Sequence, residues 1–160
     1  MTDMLFVNND GGRAAAGYKG ASGDCVARAI AIASERPYSE IYAVLAYGTG
    51  TQRAGKHGKR PASARNGINT DRKWFKDYMR SLGFRWVPTM GIGSGCKVHL
   101  QAGELPLGRL VVSVSRHYTA VIDGKIHDTH NPQRATIVET FKGTTISHRC
   151  VYGYWIMEGP

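Results

Sequence analysis

The hydrophobic period of this chain changes once, near Leu110, and that change limits the fold more than any other feature. Before it, large apolar side chains recur every three or four residues; after it, they alternate. The first spacing lines one face of a helix and the second lines one face of a strand. Helices followed by strands on tight turns read as an α+β fold, with N-terminal helices packed on a C-terminal antiparallel sheet. At 160 residues the chain suits one domain spanning 1–160.

The helical part divides at clear signals. Residues 8 to 23 are rich in Asn, Gly, Ala and Ser and read as loop. Cys25, Val26, Ala29, Ile30, Ile32 and Ala33 then form an apolar helix ending near Ser34. Ser22 or Asp24 is its expected cap, so Cys25 falls in the first turn. Pro37 opens a second helix that is expected to stop near Gly48. Thr70 is expected to cap a third, whose Trp74, Phe75, Tyr78, Met79 and Leu82 face a core and which Gly83 ends. The helical spacing assigns Trp74 and Tyr78 to packing ahead of stacking on bases. Phe84 to Pro88 reads as a short strand, and residues 89 to 95 are Gly-rich.

The strand part carries a testable geometry. Leu110 to Ser115, His117 to Ile122 and Lys125 to Thr129 alternate, and Ile137 to Phe141 and Cys150 to Met157 follow as later strands. Asp123-Gly124 is a two-residue hairpin signal. If those two residues form the turn, Ile122 faces Lys125, Thr119 faces Asp128, and His117 faces His130. His117, Thr119, Asp128 and His130 then share one face, with Asp128 on the diagonal from His117. His127 points the other way.

Three residues in this pattern suit covalent catalysis. A thiol at a helix N-terminus is favoured as thiolate by the backbone N–H groups and the dipole. An imidazole beside Cys25 would serve as base, and Asp128 would orient the imidazole. The segment Gly23-Asp24-Cys25-Val26-Ala27-Arg28-Ala29, opening a helix, resembles the nucleophile helix of papain-like cysteine peptidases. Arg116 to Thr129 resembles their His strand and the Asp strand after it, in the same chain order. Gly108-Arg109-Leu110 and Tyr152-Gly153-Tyr154-Trp155 are similar to segments of small papain-like proteins encoded by bacteriophages and prophages. The resemblance spans roughly residues 22 to 45 and 104 to 155. It implies a papain-like fold and a thiol hydrolase that cleaves a peptide or isopeptide bond with Cys25, His117 and Asp128 and no cofactor. Its substrate would be a protein or peptide, and the enzyme itself, if phage-encoded, would work in the host cell cytoplasm.

The resemblance has one departure. No Gln or Asn lies between Asn9 and Cys25 to donate to an oxyanion; Lys19 and Tyr18 are the nearest polar side chains, and Lys19 with the Cys25 backbone N–H is the expected donor pair. A slow enzyme, or a retired one that kept the scaffold for binding, stays open beside the hydrolase. Acyl transfer to another acceptor shares the same three residues.

Composition bears on partners. The 21 Lys and Arg exceed the 12 Asp and Glu, giving a formal charge of +9, which suits polyanions or an acidic protein. Residues 48 to 67 form an expected mobile loop. Within it, Arg53, Lys56, Lys59, Arg60 and Arg65 carry no neighbouring acid and are candidates for contact with nucleic acid or an acidic host protein. His117, His127, Asp128 and His130 also suggest a metal, but alternation leaves only some of them on one face, so no metal is expected. Three cysteines, Cys25, Cys96 and Cys150, are too few and too unevenly spaced for a disulfide framework. Cys96 reads as a loop or buried thiol without a base, and Cys150 as core. No apolar run approaches the roughly 20 residues of a membrane helix, and Met1 to Val7 lacks a signal-peptide pattern. A cytoplasmic protein without membrane partners is the expectation.

Overall fold

A computed structural model describes residues 4–18, 23–51, 68–91, 93–133 and 136–159. The elements run β1 (Leu5–Asn8), α1 (Cys25–Ser34), α2 (Tyr38–Thr51), α3 (Lys73–Ser81), β2 (Phe84–Pro88), β3 (Arg109–Val114), β4 (His117–Ile122), β5 (Lys125–Asp128), β6 (Thr136–Thr140), β7 (Gly143–Ser147) and β8 (Val151–Met157). The class is α+β, as the change of period implies. Six strands form one sheet in the order β1-β5-β4-β3-β8-β2, while β6 and β7 pair separately. Among the described residues, no helix is long and apolar enough to cross a membrane.

The sheet is mixed rather than antiparallel, because β1 runs parallel to β5. Its four residues are all exposed and show no alternation, so the period gives no sign of a strand. The other strands of this sheet pair antiparallel, and the register over β4 and β5 is the one the hairpin requires: Ile122 faces Lys125, Val121 faces Ile126, and Ala120 faces His127. Asp123 and Gly124 both take positive φ, 47° and 80°, the backbone of a turn whose twist matches the strands. Asp123 then ties the turn to the start of β3: Gly108 N–H donates to its carboxylate at 2.9 Å, and its own N–H donates to the Gly108 carbonyl at 2.9 Å.

The two faces of the sheet bury separate cores. On one, Val26, Ala29, Ile30 and Ala33 of α1 pack with Val111, Ala120 and Trp155, joined by Ile41 and Leu45 of α2 and Phe75 and Met79 of α3. On the other, Leu110, Val112, Val114, Val121, Ile126 and Val151 enclose Met4 and Leu100. The Arg109 side chain crosses to α1 and donates to the carbonyls of Ala33 and Ile32, each at 2.7 Å, with Glu35 at 3.2 Å. These are C-terminal carbonyls that the helix cannot satisfy itself. One arginine thus fixes the end of α1 against β3.

Two helix boundaries and one cap depart from the sequence pattern. α2 continues through Gly48 to Thr51, because that glycine is a contact surface: a Cβ there would lie 2.4 Å from the Trp74 ring. Trp74 and Tyr78 are accordingly half-buried against the core. α3 begins at Lys73, and Thr70 makes no cap; its hydroxyl instead accepts from Tyr118 Oη at 2.9 Å. Asp24 stands at the N-cap of α1 without a capping hydrogen bond, for a reason given below.

The cysteines correct a further expectation. Cys96 and Cys150 form a disulfide, with Cα atoms 5.9 Å apart, and Cys25 is the free thiol. Odd parity and 54 residues of separation hid this pair in the sequence. The bond ties the Gly-rich stretch before Cys96 to the entry of β8. In the chain-entropy account, closing a loop of this length stabilises by about 4 kcal/mol, and measured values cluster near 2–4 kcal/mol. We expect dithiothreitol to lower the unfolding free energy by about 2–4 kcal/mol in urea titration, with no such effect in a Cys96→Ser/Cys150→Ser double variant.

Candidate active site

His117 is the first residue of β4 and Asp128 the last of β5, so both stand at one end of the sheet. His117 Nε2 and Asp128 Oδ2 are 2.7 Å apart, the diagonal contact that the hairpin register allows. Thr119, across from Asp128, donates to the same oxygen at 2.8 Å, and the Thr129 N–H donates to Oδ1 at 2.7 Å. A carboxylate with three hydrogen-bond partners can stay charged although it is 4% exposed. Burial pushes the Asp128 pKa up, but the hydrogen bond and charge of His117, with Thr119 and the Thr129 N–H, bring it below the usual carboxylate value.

Cys25 reaches this pair from the N-terminus of α1. With Nε2 occupied by Asp128, Nδ1 is the ring nitrogen left open, and the His117 side chain and the Tyr118 backbone N–H both favour the charged form of the thiol beside them. Burial raises the Cys25 pKa. His117 and the Tyr118 N–H, with the charge of Arg28, outweigh it, and the thiol lies below its ordinary value. For His117 burial disfavours the imidazolium, yet Asp128 and Cys25 raise its pKa to about 9. The three groups therefore favour a thiolate–imidazolium pair held by a carboxylate. A cleft beside the thiol is lined by Gly23, Cys25, Val26, Ile68, Val114, Arg116, His117 and Tyr118.

Asp24 explains its absent cap. It is 1% exposed, and its carboxylate takes hydrogen bonds from Arg28 and Tyr38 and an ion pair from Arg13 at 2.9 Å. Arg28, one turn after Cys25, lies between Asp24 and Asp128, with Nη2 3.9 Å from Asp128 Oδ1. Burial, followed by the Asp24 hydrogen bond and charge, raises the Tyr38 pKa far above the phenol range. The sequence reading passed over Arg28, and its signal was present: a basic residue on an otherwise apolar helix stripe, four residues after an acid.

Other expected site residues are placed elsewhere. Tyr18 packs its ring on Tyr38 and Tyr42, at centroid distances of 5.0 and 4.7 Å. Lys19 and the basic group Arg53, Lys56, Lys59, Arg60 and Arg65 lie outside the described residues. Cys96, expected as a loop or buried thiol, is instead held in the disulfide. His127 points away from the site, its Nδ1 3.2 Å from the Asn9 amide. His130 stacks near His117, ring centroids 5.0 Å apart. His117, Asp128 and His130 offer ligand atoms within 4.8 Å of one another, a spacing a metal could bridge only by displacing the His117–Asp128 hydrogen bond.

Comparison with known proteins adds nothing to this geometry: the chain matches no protein-family model, no curated protein and no solved structure.

Two outcomes follow from the buried charges. Asp24→Asn removes the buried carboxylate that Arg13 and Arg28 share, and we expect a loss of about 3 kcal/mol in urea unfolding at pH 7. Asp128 has a lowered folded pKa, so the stability it contributes is present above the unfolded value of about 3.9 and is lost as pH falls through the folded one. The stability gap between wild type and Asp128→Asn should therefore be open at pH 6 and should narrow below about pH 4.

Proposed function

We propose that this protein is a papain-like thiol hydrolase acting on a peptide or isopeptide bond. The observation that carries the reading is the 2.7 Å contact of Asp128 with His117 Nε2, with Cys25 beside the same imidazole in one cleft. That arrangement matches the roles of nucleophile, base and orienter.

In this reading Cys25 Sγ attacks the scissile carbonyl carbon as a thiolate. The tetrahedral oxyanion forms near the start of α1, where the Cys25 and Val26 N–H groups have no partners within the helix. Collapse breaks the C–N bond, and His117 Nδ1 delivers its proton to the leaving amine. Water, deprotonated by the same nitrogen, then attacks the thioester, and Cys25 leaves as thiolate. Asp128 keeps the imidazole in orientation and stabilises its charged form throughout. The charge of Arg28 supports both the Cys25 thiolate and the Asp128 carboxylate. The steps require no cofactor.

The test is the reactivity of Cys25. Iodoacetamide alkylation, followed by mass spectrometry against pH, should show Cys25 reacting well below the free-thiol value of about 8.5. His117→Ala should return it to that value. Hydrolysis should rise as Cys25 ionises and fall as His117 loses its proton near pH 9. A Cys25 that alkylates like a free thiol whatever stands at 117 would overturn the hydrolase and leave a binding protein on this scaffold.

A further inference from the structure

A second pocket opens beside the thiol cleft, and Tyr118 belongs to both. It lines the thiol cleft with Cys25, while its side chain reaches into a cavity of about 160 Å³ between α3 and the sheet. The walls are Trp86 of β2 and Trp155 of β8, which face each other across the strand pair, together with Thr70. The charged lining is Lys76 and Arg80 from α3 against Asp71. Arg80 is 3.4 Å from Asp77, and Lys76 has no ion-pair partner among the described residues. The hydrogen bond from Tyr118 Oη to Thr70 Oγ1 braces the floor.

We propose that this pocket is a substrate subsite that takes a carboxylate of the peptide being cleaved, held by Lys76 and Arg80 with its carbon stem against Trp86 and Tyr118. This rests on the hydrolase reading and adds a substrate class to it. The volume suits one side chain. An extended peptide advances roughly 3.3 Å per residue, so a pocket one tyrosine side chain from Cys25 serves a position one or two residues from the scissile bond. Arg116, in the β3–β4 turn with φ of 57°, adds another cation to the thiol cleft itself. A nucleic-acid strand fits less well: it needs a row of open aromatic faces, and Trp155 is 3% exposed. Asp71 limits the affinity by like charge, which makes its removal informative.

The experiment uses the full chain carrying Cys25→Ala and three acetylated hexapeptides, with tryptophan fluorescence as the readout. One peptide has a central glutamate and an amidated end, the second has glutamine in its place, and the third has no acid but a free C-terminal carboxylate. We expect the glutamate or the free-carboxylate peptide to bind about tenfold tighter than the glutamine peptide. Which of the two does so identifies the source of the carboxylate. Lys76→Gln/Arg80→Gln should bring that ratio to about threefold or less without weakening the glutamine peptide, and Asp71→Asn should raise it. Equal binding of all three peptides, a preference that survives the double variant, or tighter binding by a thymidine decamer than by any peptide would overturn the assignment. The two readings fail separately. Normal free-thiol alkylation of Cys25 with an intact carboxylate preference removes the hydrolase and retains the pocket as a peptide-binding site. A shifted Cys25 with no carboxylate preference removes the pocket alone.

Discussion

Arg28 lies between two buried carboxylates, Asp24 at the head of α1 and Asp128 at the end of β5. Neither acid could remain charged at that depth alone, since an unpaired buried carboxylate costs several kcal/mol. The guanidinium is large enough to answer both, and Arg13 and Tyr38 complete the ring around Asp24. This chain of charges joins the helix that carries the thiol to the strand that carries the orienting acid. Arg28 stands on the helix that carries Cys25 and lies 3.9 Å from the carboxylate that holds His117, so it bridges the two elements that supply the site.

A second anchor acts at the other end of α1. Arg109 binds the last carbonyls of the helix from β3, so α1 is held to the sheet at both termini by arginines and along its length by apolar packing. Arg28 is buried and sits among charges, whereas Arg109 is half-buried and meets backbone dipoles. The two do different work. The first adds positive charge beside the thiol and the carboxylate that His117 already joins; the second ties the end of the helix to β3.

Much of the sheet was legible because strand pairing across a tight turn is a local matter. Asp123-Gly124 determines which residue faces which, and alternation then puts His117, Thr119 and Asp128 together. β1 escaped notice because it is four exposed residues, and its parallel partner, β5, is more than a hundred positions later. The end of α2 was misjudged because a glycine in a helix reads as a stop, while here it makes room for Trp74. Thr70 and Asp24 looked like caps, and both hydroxyl and carboxylate are engaged by partners from distant segments.

The sequence by itself determined the class of fold, the β4–β5 register and the diagonal that brings Asp128 to His117, since each follows from neighbours within one hairpin. Only the tertiary structure decided how Cys25 meets them. Alternation assigns His117 and Asp128 to the face of the sheet opposite α1, and no pattern of residue types predicts contact across it. They reach the thiol because they occupy the first position of one strand and the last of the next, at the rim of the sheet. The docking of α1 places its N-terminus at that rim, and the Arg28 bridge and the Cys96–Cys150 bond are settled the same way. Such contacts depend on the packing of whole elements, whose energies are sums over many residues far apart in the chain.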